Sequence, residues 1–138
     1  MRKPFDRELY DQDDNAKHKV VAWLQTLGYP AEVNPDQYGI DIIAVLPERT
    51  VGWEVEVKHA WTGEAFPFPT VHIADRKRKF ANDNCYFLML NEPRNRILSI
   101  SAAQVRDAPT VYKQTIYTAR EGFVEIHAAQ CQFFSVQP

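Results

Sequence analysis

Two short apolar runs in the first half of the chain, separated by polar residues, predict a β-hairpin. The runs cover residues 40–46 and 51–57, and they flank the polar stretch Pro47-Glu48-Arg49-Thr50, whose proline favours a turn. Pairing Leu46 with Val51 sets a register in which one face of the hairpin is wholly apolar. We expect that face to lie on the core.

The opposite face of the predicted hairpin carries charged side chains. In the same register Asp41 lies directly across from Glu56, with side chains that start about 5 Å apart. Lys58 points the same way as Glu56, because the side chains of a strand alternate between its two faces. We expect Glu54, one repeat further along this face, to be simply exposed. The alternative is that Glu54 supports the ligands of the first metal ion or binds a second one.

The charged face favours a metal-dependent phosphodiesterase. Two carboxylates at this distance repel each other unless a cation lies between them. Mg²⁺ would keep several waters, bind a substrate phosphate and lower the pKa of an attacking water. Lys58 would orient that water or stabilise the negative charge of the transition state. The alternative is a solvated strand face on which Asp41 and Glu56 have no catalytic meaning.

Asp41 and the triplet Glu56-Val57-Lys58 resemble the PD-(D/E)xK nuclease superfamily, which includes restriction endonucleases, archaeal Holliday-junction resolvases and many phage-encoded endonucleases. The resemblance implies an α/β fold with a restriction-endonuclease-like core, in which a central mixed β-sheet is flanked by α-helices. It implies catalytic roles for Asp41, Glu56 and Lys58. It also implies a metal site formed by Asp41, Glu56 and the Val57 carbonyl, with Mg²⁺ as the cofactor and Mn²⁺ able to replace it. Ile40 stands where the superfamily motif has proline.

A basic cluster follows the E-x-K triplet by one loop. The segment from Val71 to Asn82 is interpreted as a helix that presents cations to a phosphate backbone, with a solvated helix face as the alternative. Residues 66–80 are also similar to the segment after E-x-K in some phage-type nucleases. Phe66-Pro67-Phe68-Pro69 could stack against bases, although packing of the loop onto the domain is the commoner role. The candidate nucleic-acid-binding residues are Arg76, Lys77, Arg78 and Lys79.

The first helix is predicted to begin at Asp13 or Asp14, as the N-cap, and to end at Gly28. Superfamily members often place one more acid on this helix, aimed at the metal. Asp13 is the candidate if the helix begins early, but capping is its expected role. Lys17 is expected to be a surface residue, with a phosphate contact as the alternative.

The second half of the chain predicts further strands. Cys85 to Leu90 is a continuous apolar run suited to a buried central strand, Ile97 to Ile100 predicts another strand, and Ser101 begins a brief helix. Three more runs have a strand-like pattern, residues 111–117, 122–126 and 131–136. The role of residues 101–138 stays open between covering a sheet edge, forming a homodimer contact and selecting the substrate.

Composition limits the class of protein. A length of 138 residues with 45% hydrophobic and 25% charged residues predicts a single domain, residues 1–138, with one ordinary core. A net charge of −2 argues against indiscriminate coating of nucleic acid. The sequence contains neither a membrane-length apolar run nor a signal-peptide pattern. We therefore expect a cytoplasmic protein, in the host cytoplasm if the gene is phage-encoded.

Together these observations predict a Mg²⁺-dependent endonuclease that hydrolyses phosphodiester bonds, with DNA as the favoured partner and no membrane contact. Two alternatives stay open. The first is a module on the same fold that binds nucleic acid or a protein without cutting. The second is an RNA nuclease with the same site.

Overall fold

The computed structural model describes the backbone of residues 7–114 and 120–136, and the side chains of residues 15–114 and 120–136. No helix in these ranges is long and apolar enough to cross a membrane. The described elements are, in chain order, α1 (Arg7–Thr26), β1 (Ala31–Val33), β2 (Ile42–Val45), β3 (Thr50–Lys58), β4 (Thr70–Ala74), a 3₁₀ helix (Asp75–Phe80), β5 (Cys85–Asn91), β6 (Arg96–Ser101), α2 (Ala102–Asp107), β7 (Thr110–Lys113), β8 (Glu121–His127), a second 3₁₀ helix (Ala128–Gln130) and β9 (Gln132–Ser135).

The larger sheet has six strands in the order β1-β2-β3-β5-β6-β9. Its central pair, β3 and β5, is parallel, and the other neighbours are antiparallel, so the sheet is mixed as predicted. One face of this sheet is covered by α1. The cluster on this face includes Val20, Leu24, Ile42, Ala44, Trp53, Leu88, Leu90 and Ile97.

The other face of the six-stranded sheet is covered by a three-stranded sheet, in the order β4-β8-β7, and by α2. Because both faces of the sheet are covered, the central strand β5 is apolar almost throughout, as its continuous hydrophobic run predicts. The second cluster includes Val71, Ile73, Phe87, Met89, Leu98, Ile100, Val105, Val124 and Ile126.

Helix α1 begins earlier than its predicted cap. The helix starts at Arg7, so Asp13 and Asp14 lie inside it and the predicted N-cap is wrong. The residues before them, ELYDQ, contain neither glycine nor proline, and nothing interrupts helix propagation there. The prediction of an acidic metal ligand at Asp13 falls on a side chain outside the described ones.

The predicted end of α1 at Gly28 is confirmed. Gly28 adopts a positive φ of 96°, a conformation that glycine reaches without a steric penalty. Its N–H donates to the Gln25 carbonyl at 3.0 Å, and the Tyr29 N–H donates to the Leu24 carbonyl at 3.1 Å. This pair of bonds is a Schellman motif, which satisfies carbonyl groups that the last helical turn leaves open.

The predicted helix over residues 71–82 is wrong. Residues Thr70–Ala74 form strand β4, and only Asp75–Phe80 are helical, as a 3₁₀ turn. The strand buries Val71 and Ile73 on alternate positions while it pairs with β8. This β-branched alternation fits a strand, and pairing with a distant segment outweighs the local charge pattern.

Candidate active site

The hairpin of β2 and β3 forms in a register two residues away from the predicted one. Ile42 pairs with Trp53, where the prediction paired it with Val55. The cause is a tighter turn: the Leu46 N–H donates to the Arg49 carbonyl at 2.8 Å, which leaves a two-residue loop. An even shift keeps every side chain on its predicted face, so the apolar face still lies on the core.

The shift changes which acids are neighbours. Continuing the observed register by one residue places Asp41 beside Glu54, and the predicted pairing of Asp41 with Glu56 is wrong. Glu56 becomes the diagonal neighbour of Asp41, at a separation of about 7–8 Å between backbones, which is still within reach of long side chains.

Hydrogen bonds join Asp41 to Glu54 and to Val55 at the point where β2 stops pairing with β3. The backbone N–H of Asp41 donates to Glu54 Oε1 at 3.0 Å. The Asp41 carboxylate in turn accepts the backbone N–H of Val55 at 2.9 Å. The Asp41 side chain therefore continues the hydrogen-bond ladder of the hairpin beyond its last backbone pair. Both the backbone N–H and the carboxylate of Asp41 are held by hydrogen bonds.

Glu54 is buried, with 5% of its surface exposed, so its predicted exposure is wrong. Burial raises the pKa of Glu54 to about 7, and the negative charge of Asp41 adds to this, while Lys77 acts in the opposite direction. Lys77 reaches Glu54 from the 3₁₀ helix, with Nζ at 3.5 Å from Oε2. The signal for burial was available in the continuous apolar run of β5, which indicates a sheet covered on both faces.

A lysine from α1 completes this part of the site. Lys17 Nζ lies 3.2 Å from Asp41 Oδ1, and both side chains are largely shielded from solvent. Lys17 is therefore a site residue rather than a plain surface lysine. We call the group formed by Lys17, Asp41, Glu54 and Lys77 the inner end of the site.

Glu56 and Lys58 form the outer end of the site, further along the same face of β3. Lys58 Nζ lies 2.5 Å from Glu56 Oε2 and donates to the His72 carbonyl of β4 at 2.6 Å. The contact with Glu56 is an ion pair without hydrogen-bond geometry. Glu56 Oε2 is closed off from solvent and has no hydrogen bond of good geometry among the described residues, so its charge is balanced by the ammonium of Lys58.

The backbone of Val57 points toward the side of β3 that Asp41 occupies. The Gly52 N–H donates across to Asn84, just before β5, at 2.9 Å. Because backbone groups along a strand alternate between its two neighbours, Val55 and Val57 direct theirs the other way. The Val57 carbonyl therefore faces the gap beyond the end of the β2 pairing, where the resemblance implies a metal ligand.

His72 ties β4 to its neighbours above the outer end. Its Nε2 lies 2.8 Å from Glu125 Oε2 on β8, and its Nδ1 lies 3.0 Å from Lys113 Nζ on β7. The hydrogen bond from His72 is the main cause that lowers the pKa of Glu125. Since Lys113 donates to Nδ1, the ring proton is on Nε2 and is shared with Glu125.

An open cavity of about 510 Å³ adjoins the outer end. Its lining combines the charged groups just described with aromatic side chains from the loop before β4. Phe68 in this lining is 46% exposed. The lining includes Glu56, Lys58, Phe66, Phe68, His72 and Lys113.

The four cations of the basic cluster do not share one surface. Lys77 contacts Glu54, as described above. Arg78 is used internally and donates to the carbonyls of Val105, Arg106 and Ala108. Arg76 and Lys79 are exposed, and Lys79 Nζ lies over the Phe80 ring at 5.1 Å from its centroid. Of the four cations in the cluster, only Arg76 and Lys79 are available to a phosphate backbone.

The oxygen atoms of the site fit a hard divalent cation. Within the described residues, no three His, Cys, Asp or Glu side chains converge closely enough to hold a metal ion. Mg²⁺ commonly takes one or two protein carboxylates and completes its shell with water and phosphate oxygens, so two acids suffice. Asp41, the Val57 carbonyl and the Glu56 carboxylate are the oxygen ligands that match this chemistry.

Comparisons with known proteins bear on the fold. No protein-family model and no curated protein sequence matches the chain. Among solved structures, the chain is similar to Hjc, a Holliday junction resolvase from the archaeal hyperthermophile Archaeoglobus fulgidus. The TM-score is 0.53 at 13% sequence identity, over 86% of this chain and 85% of that chain. The predicted α/β fold, a central mixed sheet flanked by helices, is confirmed and is the fold of this resolvase.

Proposed function

We propose that the protein is a metal-dependent endonuclease that cuts DNA. The observation that carries the proposal is the position of Asp41, Glu56 and Lys58 on one face of the β2–β3 hairpin, at the gap where β2 stops pairing with β3. The similarity of the fold to that of a Holliday junction resolvase supports DNA as the substrate.

The chain would hold a divalent cation through Asp41, Glu56 and the Val57 carbonyl. When bound, Mg²⁺ would supply an activated water and neutralise charge on the phosphate that is attacked. Lys58 would donate to a phosphate oxygen as negative charge builds up in the transition state. Its ammonium is already oriented by the His72 carbonyl at 2.6 Å, so little side-chain freedom is lost when the substrate binds.

The inner end would keep the first acid in place. Glu54 accepts the Asp41 N–H, and Val55 donates to the Asp41 carboxylate. Lys17 offsets the charge of Asp41 from the side of α1. With these contacts Asp41 keeps one position whether or not a cation is bound, which favours preorganised catalysis.

A titration and a cleavage assay test the proposal together. Calorimetry with Mn²⁺ should show binding by the wild type that Asp41→Asn and Glu56→Gln each weaken strongly. Plasmid, single-stranded DNA, branched DNA and RNA, incubated with Mg²⁺, Mn²⁺ or chelator, should show metal-dependent cutting of DNA. Glu48→Gln, in the exposed hairpin turn, is the matched control and should behave as the wild type. Equal Mn²⁺ binding by all four proteins, or cutting that persists in chelator, would contradict the proposal.

A second candidate function is a DNA-binding module that does not cut. The observation in its favour is that each of the three acids already has a lysine beside it: Asp41 with Lys17, Glu54 with Lys77 and Glu56 with Lys58. A site balanced in this way is electrostatically stable without a cation. In the assay above this candidate would bind DNA in chelator and leave every substrate intact with every metal.

A further inference from the structure

We propose that the cavity at the outer end holds one unpaired nucleotide of the DNA strand beside the phosphate that is cut, with the Phe68 ring as the surface on which its base stacks. The inference rests on the proposed function, because that function makes DNA the substrate. It adds the class of DNA that the site accepts, namely DNA with an unpaired base next to the cut.

The size of the cavity suits a single nucleotide. Its volume of about 510 Å³ lies within the range of pockets that take small organic ligands, roughly 300–1,000 Å³. The cavity is too small to admit a double helix. Glu56 and Lys58 form part of its wall, so a nucleotide inside it would lie beside the phosphate that these residues address.

Phe68 is presented as a rigid, open aromatic surface. The residue stands between Pro67 and Pro69, whose rings fix the backbone on both sides. The Pro69 carbonyl accepts the Ala128 N–H at 2.9 Å. The Phe68 ring packs edge-on against Phe66 at 5.6 Å, and its exposure of 46% leaves ring surface open to the cavity.

The ring behind Phe68 is also anchored. Phe66 packs edge-on against Trp61 at 5.2 Å, and Trp61 is fully buried. The loop is therefore fixed through successive aromatic contacts that reach the core. Stacking a base on Phe68 would order very little protein, and base–aromatic stacking contributes most when the platform is ordered in advance.

The charges around the cavity suit the backbone of a single strand. Lys113 lies on the rim, exposed to solvent and held at 3.0 Å from His72 Nδ1. Lys58 lies on the wall next to Glu56. The two cations are positioned to contact the phosphates on either side of a stacked base, as in sites that bind single strands. A base inside a duplex offers no free face to Phe68, so the partner must be a flap, a gap, an overhang or an extruded base.

Binding measured in chelator tests this inference separately from cleavage. The probes are two oligonucleotide duplexes of equal length, one with a three-nucleotide overhang that carries 2-aminopurine and one fully paired. Phe68→Ala should weaken binding of the overhang DNA on the order of 5- to 100-fold, the scale of losing one stacked base. Phe68→Leu should lose as much, and Phe68→Trp should keep the affinity together with the quenching of 2-aminopurine. Tyr86→Ala, an exposed aromatic that points to the opposite face of the sheet, is the control.

The outcomes separate the inference from the proposed function. A loss of affinity confined to overhang DNA supports the cavity as the nucleotide site, even if the wild type cuts nothing with any metal. An equal loss for both DNAs would mean that Phe68 only packs its loop, and no loss for either would mean that the base lies elsewhere. Either result overturns the inference while metal-dependent cutting can still stand.

Discussion

The two ends of the candidate site differ in how many hydrogen bonds their carboxylates make within the protein and in how open they are to a ligand. At the inner end, the Asp41 N–H donates to Glu54, the Asp41 carboxylate accepts the Val55 N–H, and Glu54 is buried. At the outer end, the Glu56 carboxylate has an ion pair with Lys58 but no hydrogen bond of good geometry at Oε2 among the described residues, and Lys58 lies in the wall of an open cavity. The inner end thus resembles a scaffold, and the outer end resembles a place where a ligand completes the set of contacts.

This difference assigns separate tasks to acids that lie on one strand face. Glu54 is buried and already hydrogen-bonded, so it gains little from a ligand, whereas Glu56 lies in the wall of an open cavity that a ligand can enter. We therefore expect substitutions of Glu56 and Lys58 to reduce the rate of reaction, and substitution of Glu54 to change stability and its dependence on pH.

The largest effect is expected at Lys58. Lys58→Ala should slow cleavage by about 10²-fold or more, the scale of losing one donor to the transition state. Mn²⁺ binding and the unfolding midpoint should stay close to wild type, because the Lys58 side chain is partly exposed and lies in the cavity wall, outside the core. Single-turnover cleavage, calorimetry and urea unfolding measure the three quantities. Arg49→Ala, which removes one cation from the hairpin turn, is the control, and unchanged turnover in Lys58→Ala would reduce Lys58 to a structural lysine.

The next effect concerns the inner end and should be visible in stability. Because the pKa of Glu54 is raised to about 7, the folded state keeps this proton at a pH where the unfolded chain has lost it. The resulting stabilisation is complete below the unfolded pKa and is lost as pH rises through the folded pKa. Between pH 5 and pH 8 the loss should amount to about 2 kcal/mol, since one pKa unit corresponds to about 1.4 kcal/mol.

Glu54→Gln isolates this contribution. The variant cannot ionise at position 54, so its free energy of unfolding should fall less than that of the wild type between pH 5 and pH 8. Urea unfolding in chelator at both pH values gives the comparison, and Glu48→Gln in the exposed turn controls for the loss of one acid. Parallel pH curves for Glu54→Gln and wild type would show that Glu54 ionises normally and that the inner end is more open than its geometry indicates.

The smallest effect concerns Arg76 and Lys79, the two exposed cations next to the inner end. If DNA passes over them, the double variant Arg76→Ala, Lys79→Ala should flatten the slope of log affinity against log salt by about 1 to 2 units. Turnover at saturating DNA should change much less, since neither residue touches the reacting atoms. Arg49→Ala again serves as the control. An identical slope in all three proteins would place the DNA backbone on the outer end alone.

The sequence predicted the faces of the hairpin correctly and its register wrongly, for one physical reason. Alternation of apolar and polar residues distinguishes the two faces of a strand, but it is blind to a slip of two residues, because such a slip returns every side chain to the same face. The choice between a two-residue and a four-residue turn decided which acid lies beside Asp41. The alternation pattern fits either turn, so it could not make that choice.

The strand at Thr70–Ala74 was missed because its partner is distant in the sequence. Val71 and Ile73 pair with residues of β8 more than 50 positions later, while the run of cations after them gave a local helix signal. The buried run of β5 and the start of α2 at Ser101 were predicted correctly, because their signals are local. Ser101 accepts the Gln104 N–H, and the Gln104 side chain bonds back to Ser101 in a capping box.

The hydrogen bond from the Val55 N–H to the Asp41 carboxylate also stabilises one register of the hairpin over its alternatives. Apolar patterning tolerates a two-residue slide of β2 along β3, but the slide would separate this donor from its acceptor and the Asp41 N–H from Glu54. Asp41, which we expect to bind the metal, therefore also fixes the register of β2 against β3. Asp41→Asn keeps a side-chain oxygen that can accept the Val55 N–H, whereas Asp41→Ala does not. Only Asp41→Asn can therefore test the role of Asp41 in catalysis without changing the strand register.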